Sequence, residues 1–143
     1  MIFKLTDGWK EIDDKFSLKN DQEMSFLCNY KAPCGEIVTL FKINEKVETG
    51  AIMFDKMISD YKDITPNLYL QLKSKIKIKE KIVNIYVIKE RISNKSMVQM
   101  IFNYKNRLYA LIFNLVKYYP STKECIDNNK IMSEVIFLLE EQV

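Results

Sequence analysis

The stretch Leu68–Lys79, LYLQLKSKIKIK, decides how the rest of the chain is read. Its even positions are Leu68, Leu70, Leu72, Ser74, Ile76 and Ile78. Its odd positions are Tyr69, Gln71, Lys73, Lys75, Lys77 and Lys79. Side chains alternate across a strand, so this spacing gives one apolar face and one basic, solvated face. A helix would scatter both sets around its circumference. The stretch predicts a long strand with its even residues in the core and its lysines at solvent.

Downstream, three more strands are expected. Ile82–Ile92 is dense in β-formers (Ile82, Ile85, Tyr86, Val87, Ile88), and a corner is placed at Glu80-Lys81. Met97–Tyr104 and Arg107–Val116 follow, separated by short turns at Asn94-Lys95 and Lys105-Asn106, the spacing of an antiparallel meander. Leu108–Val116 carries almost no polar residue, which predicts a central strand buried on both faces. Ser121 and Glu124 form a capping box ahead of a closing helix through Glu141, with Cys125, Met132, Val135, Ile136 and Leu139 as its core stripe. Asp127, Asn128 and Asn129 are poor helix formers and predict a break or late start there.

Upstream, Thr49-Gly50 opens a helix over residues 51–63, with Ile52, Met53, Met57, Ile58, Tyr61 and Ile64 recurring on one face and Thr65-Pro66 as its stop. Met24–Tyr30 and Glu36–Ile43 read as a hairpin around KAPCG. Val38 and Leu40 make its second face apolar too, so both sides of this hairpin are expected to be covered. Met1–Leu5 reads as a short strand, and Gly8-Trp9 as a turn into an acidic segment that packs an aromatic. Between Asp7 and Glu23 six acids face three lysines, against five lysines and one glutamate over 73–81. Such asymmetry steers partners or supports solubility.

The totals describe an ordinary globular chain. Its 143 residues, 48% hydrophobic and 29% charged, suffice for one domain, 1–143, with its own core. The net charge of +3 is mild, and only Arg91 and Arg107 supply the guanidinium fork that phosphate recognition favours. The lysine row, about 7 Å from one ammonium to the next on the same face, therefore reads as the solvent side of a strand. A nucleic-acid partner is not expected. The N-terminus lacks a signal-peptide pattern, and the longest apolar run, 108–116, is far too short to span a bilayer. With three cysteines (Cys28, Cys34 and Cys125) the expectation is free thiols and a cytoplasmic location.

Histidine is absent, so no Ser-His or Cys-His nucleophile can be written within this chain, and the commonest metal ligand is missing. The glycines are Gly8, Gly35 and Gly50, too few for a phosphate-cradling loop or dinucleotide fingerprint. No catalytic residue, cofactor or metal is assigned, and the chain is not expected to be an enzyme. The fold class is α+β: a mainly antiparallel sheet of about six strands with helices packed on it.

The order of elements resembles the Mog/PsbP-like α/β/α sandwich, within it the DcrB-like family, and most closely the Eag-type chaperones of type VI secretion effectors. The resemblance is carried by FDKMISDYKDITPNLYL from Phe54, IKIKEKIVNIYVIKERI from Ile76, MVQMIFNYKNRLYALIF from Met97 and CIDNNKIMSEV from Cys125. It is a pattern of elements, and the glycine those families often carry at the corner here placed at Glu80-Lys81 is missing. The resemblance implies a homodimeric cytoplasmic adaptor or chaperone that shields an apolar segment of a secreted effector. The partner surface it implies is the hairpin face holding Phe26, Cys28, Tyr30, Thr39 and Phe41. The alternative is an immunity protein that neutralises a cognate toxin, motivated by small size, missing chemistry and charge asymmetry.

Overall fold

A computed structural model describes residues 3–6, 8–12, 24–43, 68–90, 96–115 and 121–142. The strands are β1 (Lys10–Ile12), β2 (Met24–Lys31), β3 (Ile37–Ile43), β4 (Leu68–Ile78), β5 (Lys81–Glu90), β6 (Ser96–Tyr104) and β7 (Arg107–Leu115), followed by helices α1 (Thr122–Asn128) and α2 (Lys130–Glu141). They form one sheet in the order β1-β2-β3-β7-β6-β5-β4, and every pairing is antiparallel. The chain leaves β3 for the far edge and returns as a four-strand meander that closes on β3. The expected helix over 51–63 and the turn at Asn94-Lys95 lie outside the described residues.

The sheet has seven strands among the described residues against the six or so expected. The addition is β1, three residues paired with the end of β2, too short to show an alternation. Of the short strand expected over Met1–Leu5, the described residues 3–5 are not in a strand. The backbone of Lys4 is tied instead to the side chain of Gln142, whose Nε2 donates to the Lys4 carbonyl (2.7 Å) while Oε1 accepts from the Lys4 amide (2.8 Å). The corner falls at Lys79-Glu80, one residue earlier than expected, with both residues at positive φ (43° and 73°). The Lys105-Asn106 turn repeats that geometry at φ 51° and 64°.

Both helices pack on one face of the sheet. There Val38, Leu40, Val83, Ile85, Val87, Val98, Met100, Leu111 and Phe113 meet Cys125, Ile131, Met132, Val135, Leu138 and Leu139 in a single buried cluster. Each fully buried aliphatic contributes about 2 kcal/mol, which is how a helix as short as α2 is held. Asn129 breaks the closing helix where the Asn-rich run predicts. It adopts extended backbone (φ −113°, ψ 125°), ends α1, and caps α2 by accepting from the Met132 amide. The Ser121 hydroxyl caps α1 by accepting from the Glu124 amide (3.2 Å).

The opposite face holds a second buried cluster of Phe41, Ile43, Tyr86, Ile88, Ile101, Leu108 and Ala110. Strand β7, fourth of the seven, contributes to both clusters, as its uninterrupted apolar sequence implies. On β4 and the turn that follows it, Lys75, Lys77 and Lys79 are exposed and Ile78 is buried, as the alternation predicts, while Ser74 and Ile76 are half-buried.

Two bulges interrupt the pleat. In β4 the partner of Leu70 is Ile88 and that of Leu72 is Val87, so Gln71 is an extra residue. In β2 Phe26 stands opposite Phe41 and Cys28 opposite Leu40, so Leu27 is extra. Each insertion shifts the phase of alternation by one residue. The single uninterrupted period expected over 68–79 is therefore corrected: Leu68 and Leu70 take register positions opposite Glu90 and Ile88, whereas Leu72, Ser74 and Ile76 stand opposite Val87, Ile85 and Val83.

Candidate functional site

The bulge at Leu27 divides the expected partner surface. Phe26, Thr39 and Phe41 lie on the sheet face opposite the helices: Phe26 meets Phe41 edge-on with ring centroids 6.0 Å apart, and the Thr39 hydroxyl donates to Asn29 Oδ1 (2.6 Å). Cys28 and Tyr30 pack on the helix side with Val38 and Leu40. The five residues thus do not share one face, because the extra residue at 27 turns the remainder of β2 over. Tyr30 is fully buried and Phe41 nearly so, while Phe26, Cys28 and Thr39 are half-buried. The Tyr30 hydroxyl is pushed far above its ordinary value by burial, with the Cys28 thiol beside it adding to the shift.

The hairpin's tip builds a more open feature. Gly35 (φ 94°) and two backbone bonds, Ala32 amide to Glu36 carbonyl and Gly35 amide to Ala32 carbonyl, close the KAPCG turn. Gly8, at φ 90°, passes so close to it that a Cβ there would lie 3.0 Å from Pro33 Cγ. That approach sets Thr6 and Trp9 against the turn, and Glu134 Oε2 anchors it from α2 by accepting from the Cys34 amide (3.2 Å). Between the three segments runs an open groove of about 380 Å³ lined by Thr6, Trp9, Pro33, Ser133, Glu134, Phe137 and Glu141. Ser133, Phe137 and Glu141 follow at four-residue steps, so they share one stripe of α2. Phe137 is 52% exposed, and it is a large aromatic on the face turned away from the core.

Apolar walls with the carboxylates of Glu134 and Glu141 among them suit an apolar segment carrying a basic residue. Burial raises the Cys34 thiol, and Glu134 adds to that shift, so the group stays protonated and a poor nucleophile. Burial likewise raises Cys28 and holds Cys125 at about 11. Among the described residues no group of three His, Cys, Asp or Glu side chains is placed to hold a metal ion, and no helix is long and apolar enough to cross a membrane. The groove was readable only in part. Phe137 stands off the stripe of Met132, Val135, Ile136 and Leu139, an aromatic with no place in the core pattern, but its partners Thr6 and Pro33 carry no periodic signal at all.

No known family and no curated protein matches the chain. Solved structures do match it. The solution structure of the cyanobacterial PsbP protein (CyanoP) from Synechocystis sp. PCC 6803 aligns over 95% of this chain and 83% of its own, with a TM-score of 0.57 and 9% identity. Such a likeness shows the fold, which is PsbP-like: an antiparallel sheet with helices in an α+β arrangement.

Proposed function

We propose that this protein is a non-catalytic, cytoplasmic, dimeric binding module, an adaptor or chaperone that holds an apolar segment of another protein, in the manner of the Eag-type chaperones among the DcrB-like proteins it resembles. The observation that supports this reading most is the groove at the tip of the β2–β3 hairpin, where Phe137 is exposed beside Trp9 and Pro33. A segment laid there buries an aromatic that is otherwise left in water and sets a basic residue against Glu134 or Glu141. The docking surface is then the tip of the hairpin implied by the resemblance, with Phe26, Thr39 and Phe41 behind it in the sheet.

Trp9 is the only tryptophan in the chain, so its fluorescence reports the groove directly. Titration with an apolar, lysine-bearing peptide taken from the N-terminal helices of a secreted effector is expected to shift Trp9 emission. Phe137→Asp is expected to remove that response while thermal unfolding is unchanged, because Phe137 lies outside the buried core. An unaltered response in Phe137→Asp defeats the reading. A folded toxin domain that binds instead, with association slowed by salt, favours the immunity role.

A further inference from the structure

Two hairpin tips stand side by side at one end of the sheet. Strands β5 and β6 are antiparallel neighbours, so the turn that opens β5 lies beside the turn that ends β6. Both are two-residue turns with both residues at positive φ, the type I′ pattern that selects Asn-Gly. Here the residues are Lys79-Glu80 and Lys105-Asn106. Lysine and glutamate have no side-chain means of easing the left-handed region, in which an L-residue's Cβ crowds the following carbonyl. Three of these four positions thus carry a charged side chain that the backbone geometry does not favour.

The strand ends add to it. Lys77, Lys79, Lys105 and Arg107 are exposed, Lys81 is half-buried, and Glu80 is the one acid among them. The ammonium groups of Lys81 and Lys105 lie 5.0 and 5.3 Å from the centre of the Tyr104 ring, which holds two cations at the rim. Amid these charges Ile82 is 60% exposed, directly opposite Lys77 across the β4–β5 ladder. Beneath Tyr104, between Ile78, Lys81, Val83 and Phe102, the enclosed space is only about 10 Å³, too small for a side chain.

We propose that this end of the sheet is a peripheral docking surface for an anionic lipid bilayer, with the cations facing headgroups and Ile82 entering the interface. Two adjacent hairpin turns with no room for a side chain beneath Tyr104 fit a plane better than a folded partner. Lysine, a hydrated point charge, suits headgroups that rearrange laterally, whereas a fixed pattern of carboxylates favours the arginine fork, represented here by Arg107 alone. An exposed aliphatic paired across the ladder with a lysine supplies the short-range term that charge lacks.

The test is co-sedimentation of the full chain with vesicles of phosphatidylcholine alone and of equimolar phosphatidylcholine and phosphatidylserine. Sedimentation is expected with the mixed vesicles only, and release on adding salt. Lys79→Asn with Lys105→Asn is expected to lower partitioning roughly thirtyfold while raising the thermal midpoint, since asparagine tolerates positive φ. Ile82→Ser is expected to weaken binding without changing its salt dependence. Equal sedimentation with neutral vesicles overturns the proposal, as does undiminished binding by the double variant. Binding to soluble polyglutamate but not to vesicles also overturns it and assigns the surface to an acidic protein.

Discussion

Phe26 and Phe41 stand directly across the β2–β3 ladder, their rings tilted 74° to each other with centroids 6.0 Å apart. The contact exists only because Leu27 is inserted after Phe26. In unbroken alternation from Cys28 back along the strand, position 26 would fall on the helix side with Cys28 and Tyr30. Edge-to-face pairs contribute about 1 kcal/mol beyond the area they bury. A double-mutant cycle with Phe26→Leu and Phe41→Leu, read by urea denaturation, is expected to give a coupling energy of about that size. Additive single effects would show that the rings pack independently.

Much of the fold was legible in the sequence, for one physical reason. Strands buried on both faces, such as β7, or charged on one, such as the Lys75–Lys79 part of the comb, leave a pattern that burial dictates. Insertions leave none. Leu27 and Gln71 are ordinary residues in ordinary strand composition, and only the partner strand reveals that one residue is extra. The candidate site was hidden for the same kind of reason. Its walls come from Thr6 and Trp9, a turn and a helix far apart in the chain, brought together by the close approach of Gly8 to Pro33. The missing corner glycine is a different case: the backbone takes left-handed geometry at Lys79-Glu80 without it.

That geometry carries a cost that can be recovered. Glu80 sits at φ 73° and is exposed, so its side chain contributes nothing to the core. Glu80→Gly relieves the Cβ clash but gives the unfolded chain more freedom. The net expectation is a stabilisation of about 0.5–1 kcal/mol, seen as a higher urea midpoint with an unchanged slope. A loss of stability would mean that the carboxylate holds the neighbouring lysines in place.

Gln99 is 5% exposed on the face away from the helices. Among the described residues its buried Oε1 has no hydrogen-bond partner and its Nε2 reaches only the Met97 sulfur at 3.8 Å. A buried amide so poorly matched costs more than it returns. Gln99→Leu, close in volume, is expected to stabilise the protein by about 1 kcal/mol, whereas Gln99→Ala is expected to destabilise it through the cavity it leaves. Thermal unfolding of the two variants separates the polar effect from the packing effect. Destabilisation by both would show that the amide is matched in solution.

Asn129 serves two helices at once. Its backbone amide donates to the Cys125 carbonyl and its side chain accepts from the Met132 amide (3.2 Å). Asn129→Ala removes the second bond while leaving the extended backbone accessible, and is expected to cost about 1 kcal/mol. Asn129→Gly is expected to cost less, since glycine is itself a fair N-cap. Equal losses in both would place the effect in backbone freedom and not in the cap.

Cys125 gives the protein a dependence on alkaline pH. It is buried among the core residues of both helices, and burial lifts its thiol from 9.0 to about 11. Below pH 9 the thiol is neutral in folded and unfolded chains alike, and its contribution is fully present. Between pH 9 and 11 the unfolded chain ionises while the folded one does not, so stability falls by up to one proton's linkage per molecule. Above that window both forms are thiolates and the loss is complete. Cys28, Cys34 and Tyr30 shift in the same direction, so the wild-type profile alone cannot isolate Cys125. The difference between wild type and Cys125→Ala can: it is expected to be constant below pH 9 and to shrink from 9 to 11 as the wild type loses its advantage. A thiol reagent is expected to reach half-buried Cys34 in the native state and Cys125 only on unfolding. Native-state labelling of Cys125, or a pH-independent difference, would show that the thiol is solvated.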